Sequence, residues 1–372
     1  MNHPPSIALA LSGGGSRAIA FHLGCMRELH RQGILPGISV ISAVSGGSVI
    51  AGLYAYSSDS FESFDQQIVA LLRCGLQRDI LKRLLRPGLF GKVVATNLIS
   101  RPLALGAQLL GHQPPFRRWA SRSNALEEAL SKYFGRKKMG EVERTNLDVI
   151  LNACELRTAT AFRFGNLRSG SWRFGEVAGN DISVAHAVAC SAAYPMFLPA
   201  FDRKYDFVRR DGTKNHDRVI ITDGGVYDNL GTTCVEPERD PQYSLHTYTP
   251  DYILCCSAGY GQLSGQKIPF TFFSRTAAAF ETVFRKATDA TMNRLHYLRS
   301  SGKLRGFILP YLGQQDKALP SLPSEFVSRD AVLGYPTNFE AMPDEDIKRL
   351  TTRGEQLTKI LLEHHTPELC RK

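Results

Sequence analysis

Residues 7–17 read IALALSGGGSR and residues 38–47 read ISVISAVSGG. Ile7–Ser12 is a short apolar run ending in glycines, the pattern of a buried strand. Ser16–Arg31 follows with Ile19, Leu23 and Met26 at helical spacing and Arg17, Arg27 and Arg31 on other faces, and Gly33 supplies the stop. Ile38–Val44 is a second β-branched run, and Gly46–Tyr56 a second helix. Strand, helix, strand, helix is a βαβ unit, which requires parallel strands and a right-handed crossover.

Working outward, residues 60–140 change character: helical, basic, and punctuated by Pro87, Pro102, Pro114 and Pro115. They are expected to be an insertion or cap over the sheet. Strand patterns resume at Leu147–Cys154, Arg218–Thr222, Asp251–Ser257 and Leu304–Leu309. Helices are expected at Ser183–Ala193, Phe270–Ser300 and Asp344–His364, and polar surface loops at Asp202–Asp217 and Glu236–Pro250. No internal repeat is visible. The expected fold class is α/β with a mainly parallel central sheet. One domain spans 1–372, with 251–372 as its C-terminal α/β and helical completion.

The 372 residues are 43% hydrophobic and 22% charged, enough apolar material for a large core, which excludes global disorder. The net charge of +10 favours anionic partners. Nearly all of it sits between Arg73 and Arg122, where ten Lys/Arg face one acid, Asp79. Many leucines accompany these cations, which suits a lipid surface better than a nucleic-acid groove, so no nucleic acid is expected. Ile80, Leu81, Leu84 and Leu85 can share a helical face opposite Lys82, Arg83 and Arg86. That is the pattern of an interfacial helix, and equally of a solvated cap helix packed on the core. No basic region precedes Ile7 and no apolar run is long enough to span a bilayer, so a cytoplasmic chain without a cleaved signal is expected, peripheral at a membrane if the basic face docks. The eight cysteines form no Cys-x-x-Cys pair and read as reduced, buried thiols. No Cys/His cluster and no carboxylate-rich loop has ligand spacing, so neither zinc nor calcium nor any cofactor is expected.

Three places carry chemistry. Gly13-Gly14-Gly15 lies between a strand and a helix, where side-chain-free backbone and unpaired helix N–H groups can hold an anion. The anion is either a phosphate or the oxyanion of an acyl-transfer transition state. A P-loop is ruled out because no Lys follows, and the dinucleotide fingerprint fits loosely because Ala18 or Arg17 stands at its third glycine. Ala43-Val44-Ser45-Gly46-Gly47 has the form of a nucleophile elbow, a serine on a tight strand-to-helix turn, although Ala43 replaces the usual glycine. Taken alone, Ser45 reads equally as a helix N-cap. Asp223-Gly224-Gly225 follows a strand, and alone it reads as a turn.

The three together, in this order, resemble the patatin-like phospholipases. Ser191-Ala192-Ala193-Tyr194-Pro195 and Val226-Tyr227-Asp228-Asn229 are similar to the segments that flank the aspartate in that family. The resemblance covers residues 7–231, with Ala43 and Gly231 (where proline often stands) as departures. It implies a three-layer α/β/α fold and a lipid acyl hydrolase of phospholipase A, lysophospholipase or lipase type acting on phospholipid or another lipid ester. The implied catalytic pair is Ser45 as nucleophile and Asp223 as base. Gly13, Gly14, Gly15 and Gly46 would form the oxyanion hole, with Arg17, Gly47, Gly224 and Gly225 in support. The competing chemistry is a histidine triad through His246 or His296. An α/β-hydrolase, however, places its elbow after more strands than precede Ser45. Competing functions are a small-ester esterase or thioesterase on the same pair, and a non-catalytic anion- or nucleotide-binding module.

Overall fold

The computed structural model describes residues 5–261, 265, 266 and 268–371. Part of the N-terminal stretch read above for a signal sequence therefore lies outside the described residues. In chain order the elements are β1 (Ile7–Leu11), α1 (Gly15–Arg31), β2 (Ile38–Val44), α2 (Gly46–Ala55), α3 (Phe61–Cys74), α4 (Gln77–Leu84), α5 (Pro87–Ala95), α6 (Arg101–Leu109) and α7 (Arg122–Phe134). They continue with β3 (Asp148–Glu155), β4 (Thr160–Gly165), β5 (Ser169–Ser171), β6 (Gly175–Val177), α8 (Val184–Ser191), β7 (Phe201–Val208), β8 (Lys214–Asp223) and α9 (Gly225–Asp228). The last four are β9 (Tyr252–Cys256), α10 (Phe272–Ser300), β10 (Gly306–Ile308) and α11 (Asp344–His365).

The strands of the described residues form one sheet in the order β10-β9-β1-β2-β3-β4-β5-β6-β7-β8. From β10 to β3 all neighbours are parallel. From β3 to β8 all are antiparallel, and β8 pairs back onto β3. The sheet is thus mixed, and the parallel unit read from the N-terminus is one half of it. β1 is buried along its whole length, as a strand covered on both faces must be. Ile7, Leu9 and Leu11 face a core shared with α1, α2, α3, α8 and α11. Ala8 and Ala10 face the other layer, made by Leu295 and Leu298 of α10 and by Leu230–Val235. The result is a three-layer α/β/α fold.

Asp202–Asp217, expected as a loop, is instead mostly the hairpin β7–β8, turning at Arg209–Thr213. Its strands are polar because cross-strand charge pairs replace apolar alternation: Arg218 grips Asp202 with two hydrogen bonds of 2.6 and 2.8 Å. The basic insertion is helical as read, but α3 and α7 are core elements through Phe64, Ile68, Leu126 and Leu130. The four-residue apolar face of α4 divides. Ile80 and Leu84 pack inward against Leu89 and Ala125, and Leu81 and Leu85 are exposed. The eight cysteines are free thiols, with Cys74 exposed and six buried.

The first and last helices cross at two glycines that periodicity does not single out. A Cβ at Gly24 of α1 would stand 1.9 Å from Thr351 O of α11, and one at Gly354 would stand 2.4 Å from Phe21 O. Backbone meets backbone there, so neither side can yield by rotating a side chain. Gly24→Ala is expected to destabilise the fold by about 1–3 kcal/mol, as overpacking does. Chemical denaturation would measure it, and an unchanged midpoint would contradict the close crossing.

Candidate active site

The site arises where three chain segments end against each other. β1 stops at Leu11 and passes through Ser12-Gly13-Gly14 into α1. His22 on the next turn of α1 fastens this corner, donating from Nε2 to Ser12 O at 2.9 Å, so it is a packed residue. β2 stops at Val44, Ser45 forms the corner, and α2 begins at Gly46. The Ser45 backbone stands at φ 54°, ψ −119°, a region that non-glycine residues rarely enter. Holding it there costs of order 1–3 kcal/mol, which the packing around it must supply.

That packing leaves no room for Cβ atoms. A Cβ at Gly47 would lie 2.4 Å from Leu11 O, and one at Gly46 would lie 2.3 Å from Gly15 O. The N-termini of α1 and α2 therefore converge, and their positive ends point to one spot. The amide of Gly13 is already committed, donating to Asn229 O at 3.2 Å. Gly13 thus departs from the sequence expectation of an open donor. Its contribution is space, since a Cβ there would meet Asn229 Oδ1 at 2.7 Å and Ser45 Cβ at 3.3 Å. The amides of Gly14, Gly15 and Gly46 have no acceptor among the described residues.

Asp223 reaches Ser45 through the register of β3. β2 pairs with Asp148–Asn152, ending at Val44 opposite Asn152. β4 holds the other edge of β3. β8, running the opposite way, takes the next positions on β2's edge and ends at Asp223 opposite Ala153. The two strands meet head to head, and their last residues deliver the serine and the carboxylate. Asp223 Oδ1 accepts from Gly225 N at 2.7 Å, and Oδ2 is buried with no hydrogen-bond partner among the described residues. Burial pushes the Asp223 carboxyl up to about 7, against the opposing pull of the nearby Ser45 hydroxyl and the Gly225 amide.

Ser191, which the sequence reading named only within a flanking segment, ties the two ends together. Ser191 Oγ accepts from Ser45 N at 3.0 Å and donates to Asn152 O at 2.5 Å, and it also shares a 2.7 Å hydrogen bond with Ser48 Oγ. Two residues on, Ala193 O accepts from Asp223 N at 3.1 Å and from Thr222 Oγ1 at 2.8 Å. The Ser191–Ala193 corner thus holds both the elbow and the aspartate. Only its small residues, visible in the sequence, hinted at so close an approach.

Gly224 is required for contact, since a Cβ there would stand 2.2 Å from Asn152 O. A Cβ at Gly225 would meet Asn229 Oδ1 and Asp223 Oδ1, each at 2.9 Å. Gly231 adopts φ +72°, which a proline ring forbids, so glycine at this point follows from the backbone. Arg17 is buried beneath the glycine loop, donating to Ala258 O and Tyr335 O at 3.0 Å each and lying over the Tyr260 ring. It braces the loop against the C-terminal segments. His246 donates from Nε2 to Arg168 O at 2.9 Å, and burial holds it neutral with a pKa near 3. His296 is exposed and packs edge-on against Phe307. Neither imidazole is hydrogen-bonded to Ser45 or Asp223 among the described residues.

The Asp223 shift makes a stability prediction. The native carboxyl keeps its proton up to about pH 7, whereas an unfolded aspartate loses it near pH 3.9. The folded state binds more protons in that window, so wild-type stability falls as pH rises through it. Asp223→Asn lacks this titration. Its melting temperature relative to wild type should therefore climb between pH 4 and pH 7, by an equivalent on the order of 4 kcal/mol. Parallel melting curves would show no ground for the shift if the difference is pH-independent.

No curated protein matches the chain in sequence. Among solved structures, human GIVD cytosolic phospholipase A2 is similar with a TM-score of 0.52 and 13% identity, over 96% of this chain and 58% of that one. VipD from Legionella pneumophila aligns over 97% of this chain and 67% of its own at 14% identity and a TM-score of 0.39. The chain thus spans somewhat over half the length of the GIVD enzyme, and that likeness is one of fold. The sequence model of the patatin-like phospholipases matches residues 9–233, from the first strand past the Asp-Gly-Gly turn, and on that match the chain belongs to the patatin-like phospholipase family.

Proposed function

We propose that this chain is a lipid acyl hydrolase that cleaves carboxylic esters through a Ser45 acyl-enzyme, with Asp223 as the base. Family membership supports lipid ester hydrolysis as the class. The observation that carries the chemistry is the head-to-head meeting of β2 and β8, which sets a strained serine beside a buried carboxylate with one free oxygen. In this reading the ionised Asp223 takes the Ser45 proton as Oγ attacks the ester carbonyl. The resulting oxyanion is held by the amides of Gly14, Gly15 and Gly46, where the two helix N-termini add their field. Collapse of the tetrahedral intermediate expels the alcohol, which receives the proton from Asp223. Water then gives a proton to Asp223 and attacks the acyl carbon, a second collapse frees the fatty acid, and Ser45 regains its proton. Met196, Phe197 and Phe284 supply apolar surface near the site: the first two are exposed just beyond Pro195, and Phe284 lies beside Gly225. This apolar rim favours a lipid ester over a small soluble one.

A fluorophosphonate probe followed by a phospholipid panel tests this directly. Labelling should vanish in Ser45→Ala and fall by several orders of magnitude in Asp223→Asn. If labelling persisted in Ser45→Ala, the nucleophile would lie elsewhere. In wild type, kcat/KM should rise with unit slope on the acid side and level off near pH 7, because the base must lose its proton. Ser191→Ala strips the elbow amide of its acceptor and should slow labelling by roughly ten- to a hundredfold, on the scale of one buried hydrogen bond. Wild-type labelling rates in that variant would remove Ser191 from the positioning set.

A further inference from the structure

The basic insertion has a face that folding alone does not account for. No residue of α6 is buried. Leu98, Leu103, Leu105, Leu109 and Leu110 are exposed, Leu109 at 89% and Leu110 at 76%. A helix of this composition that joins no apolar cluster among the described residues marks an interaction surface. Between the insertion and the Pro195–Pro199 turn runs a groove of about 580 Å³, walled by Phe90 and Val93 and by Arg101, Arg118 and Arg122. Arg101 is steadied by Asn97 at 3.0 Å. None of the three guanidinium groups is in salt-bridge contact with a carboxylate among the described residues; the nearby Asp202 is taken by Arg218. Burial and the nearness of Arg101 both pull Arg118 below its ordinary pKa, against the opposing pull of Asp202, which also accepts from the Arg118 backbone amide at 2.7 Å.

The occupant follows from charge and shape. A second copy of this chain would bring ten cations and one acid against the same set, so self-pairing is opposed. A nucleic acid would leave the leucines in water. A bilayer rich in acidic lipid accepts both parts, apolar side chains in its hydrocarbon and guanidiniums at its phosphates. Pro195, which lines the groove, follows two residues after Ala193, whose carbonyl accepts from the Asp223 amide. We propose that the α4–α6 insertion docks the protein on an anionic lipid bilayer, with α6 entering the interface and the arginine groove taking a lipid phosphate. The choice of a lipid rests on the hydrolase reading above.

The test uses the full chain carrying Ser45→Ala, so that no lipid is consumed. It compares flotation with phosphatidylcholine vesicles that contain or lack phosphatidylglycerol. Binding to the anionic vesicles should be at least about tenfold tighter at low salt and should weaken as salt rises. Arg101→Gln with Arg118→Gln should cost about tenfold or more, at roughly tenfold or less per cation. Leu105→Ser with Leu109→Ser should weaken binding comparably, and its melting temperature should stay at the parent value because both leucines are exposed. Equal affinity for both vesicles, or none for either, overturns the proposal. Inorganic phosphate raising the melting temperature without any vesicle binding also overturns it, in favour of a free-anion site. A lipid-free dimer dissolved by the leucine substitutions assigns the face to a second copy and overturns it as well. Fluorophosphonate labelling of the unmutated chain keeps the two readings apart. Labelled Ser45 without vesicle binding sinks the docking alone, whereas vesicle binding without labelling sinks the hydrolase reading and leaves the surface standing.

Discussion

The overhang of β3 beyond β2 is the constraint from which the rest follows. β2 covers Asp148–Asn152, and β8 arrives from the opposite direction to cover Ala153–Glu155. Strands meeting end to end on one edge must both stop, and each turns out of the sheet at the same place. One turn carries Ser45 and the other Asp223. The register also buries the carboxylate, because a strand end enclosed by a neighbouring strand, a helix corner and a glycine turn has no access to bulk water. Position and elevated pKa therefore have a single structural cause.

A second constraint is space. Ser45 can occupy its rare backbone conformation because Gly46 and Gly47 let α2 seat against the first glycine loop. The same close approach brings the two helix N-termini together. Burial works against charge on Asp223, while these amides favour negative charge that develops beside it. For the proposed reaction, resistance to a resting anion beside amides that favour a transient one is the direction that favours a transition state.

Much of this was legible in the sequence and some was not. The glycine loop, the serine corner and the strand-end aspartate are local signals, set by turn chemistry within a few residues, and each was found on the element expected for it. β7 and the first half of β8 escaped because charged side chains, such as Asp202 with Arg218, carry their pairing, which alternation of apolar residues does not register. The commitment of the Gly13 amide to Asn229 and the bridging by Ser191 depend on partners far away in sequence. No window around either residue contains that information. The α4 face shows the converse limit. Helical periodicity correctly grouped Ile80, Leu81, Leu84 and Leu85, but their division into inward and exposed pairs was decided by where α7 lies. Gly231 is intermediate, since its departure from the family pattern was visible but its left-handed backbone was not.

The glycine loop is held from outside as well as from within. Asn338 O accepts from Ser16 N at 2.8 Å, Tyr335 O accepts from Arg17, and α11 lies across α1 at Gly24. These supports come from residues far beyond the segment matched by the family model, yet they press on its first helix. During synthesis the loop, the elbow and the aspartate all leave the ribosome well before Tyr335 and α11 exist. The nascent chain therefore carries the glycine loop, Ser45 and Asp223 for some time without the buttress that holds the loop. Arrival of Tyr335, Asn338 and α11 then adds the contacts that hold the loop, so the order of translation places this support more than a hundred residues after Asp223.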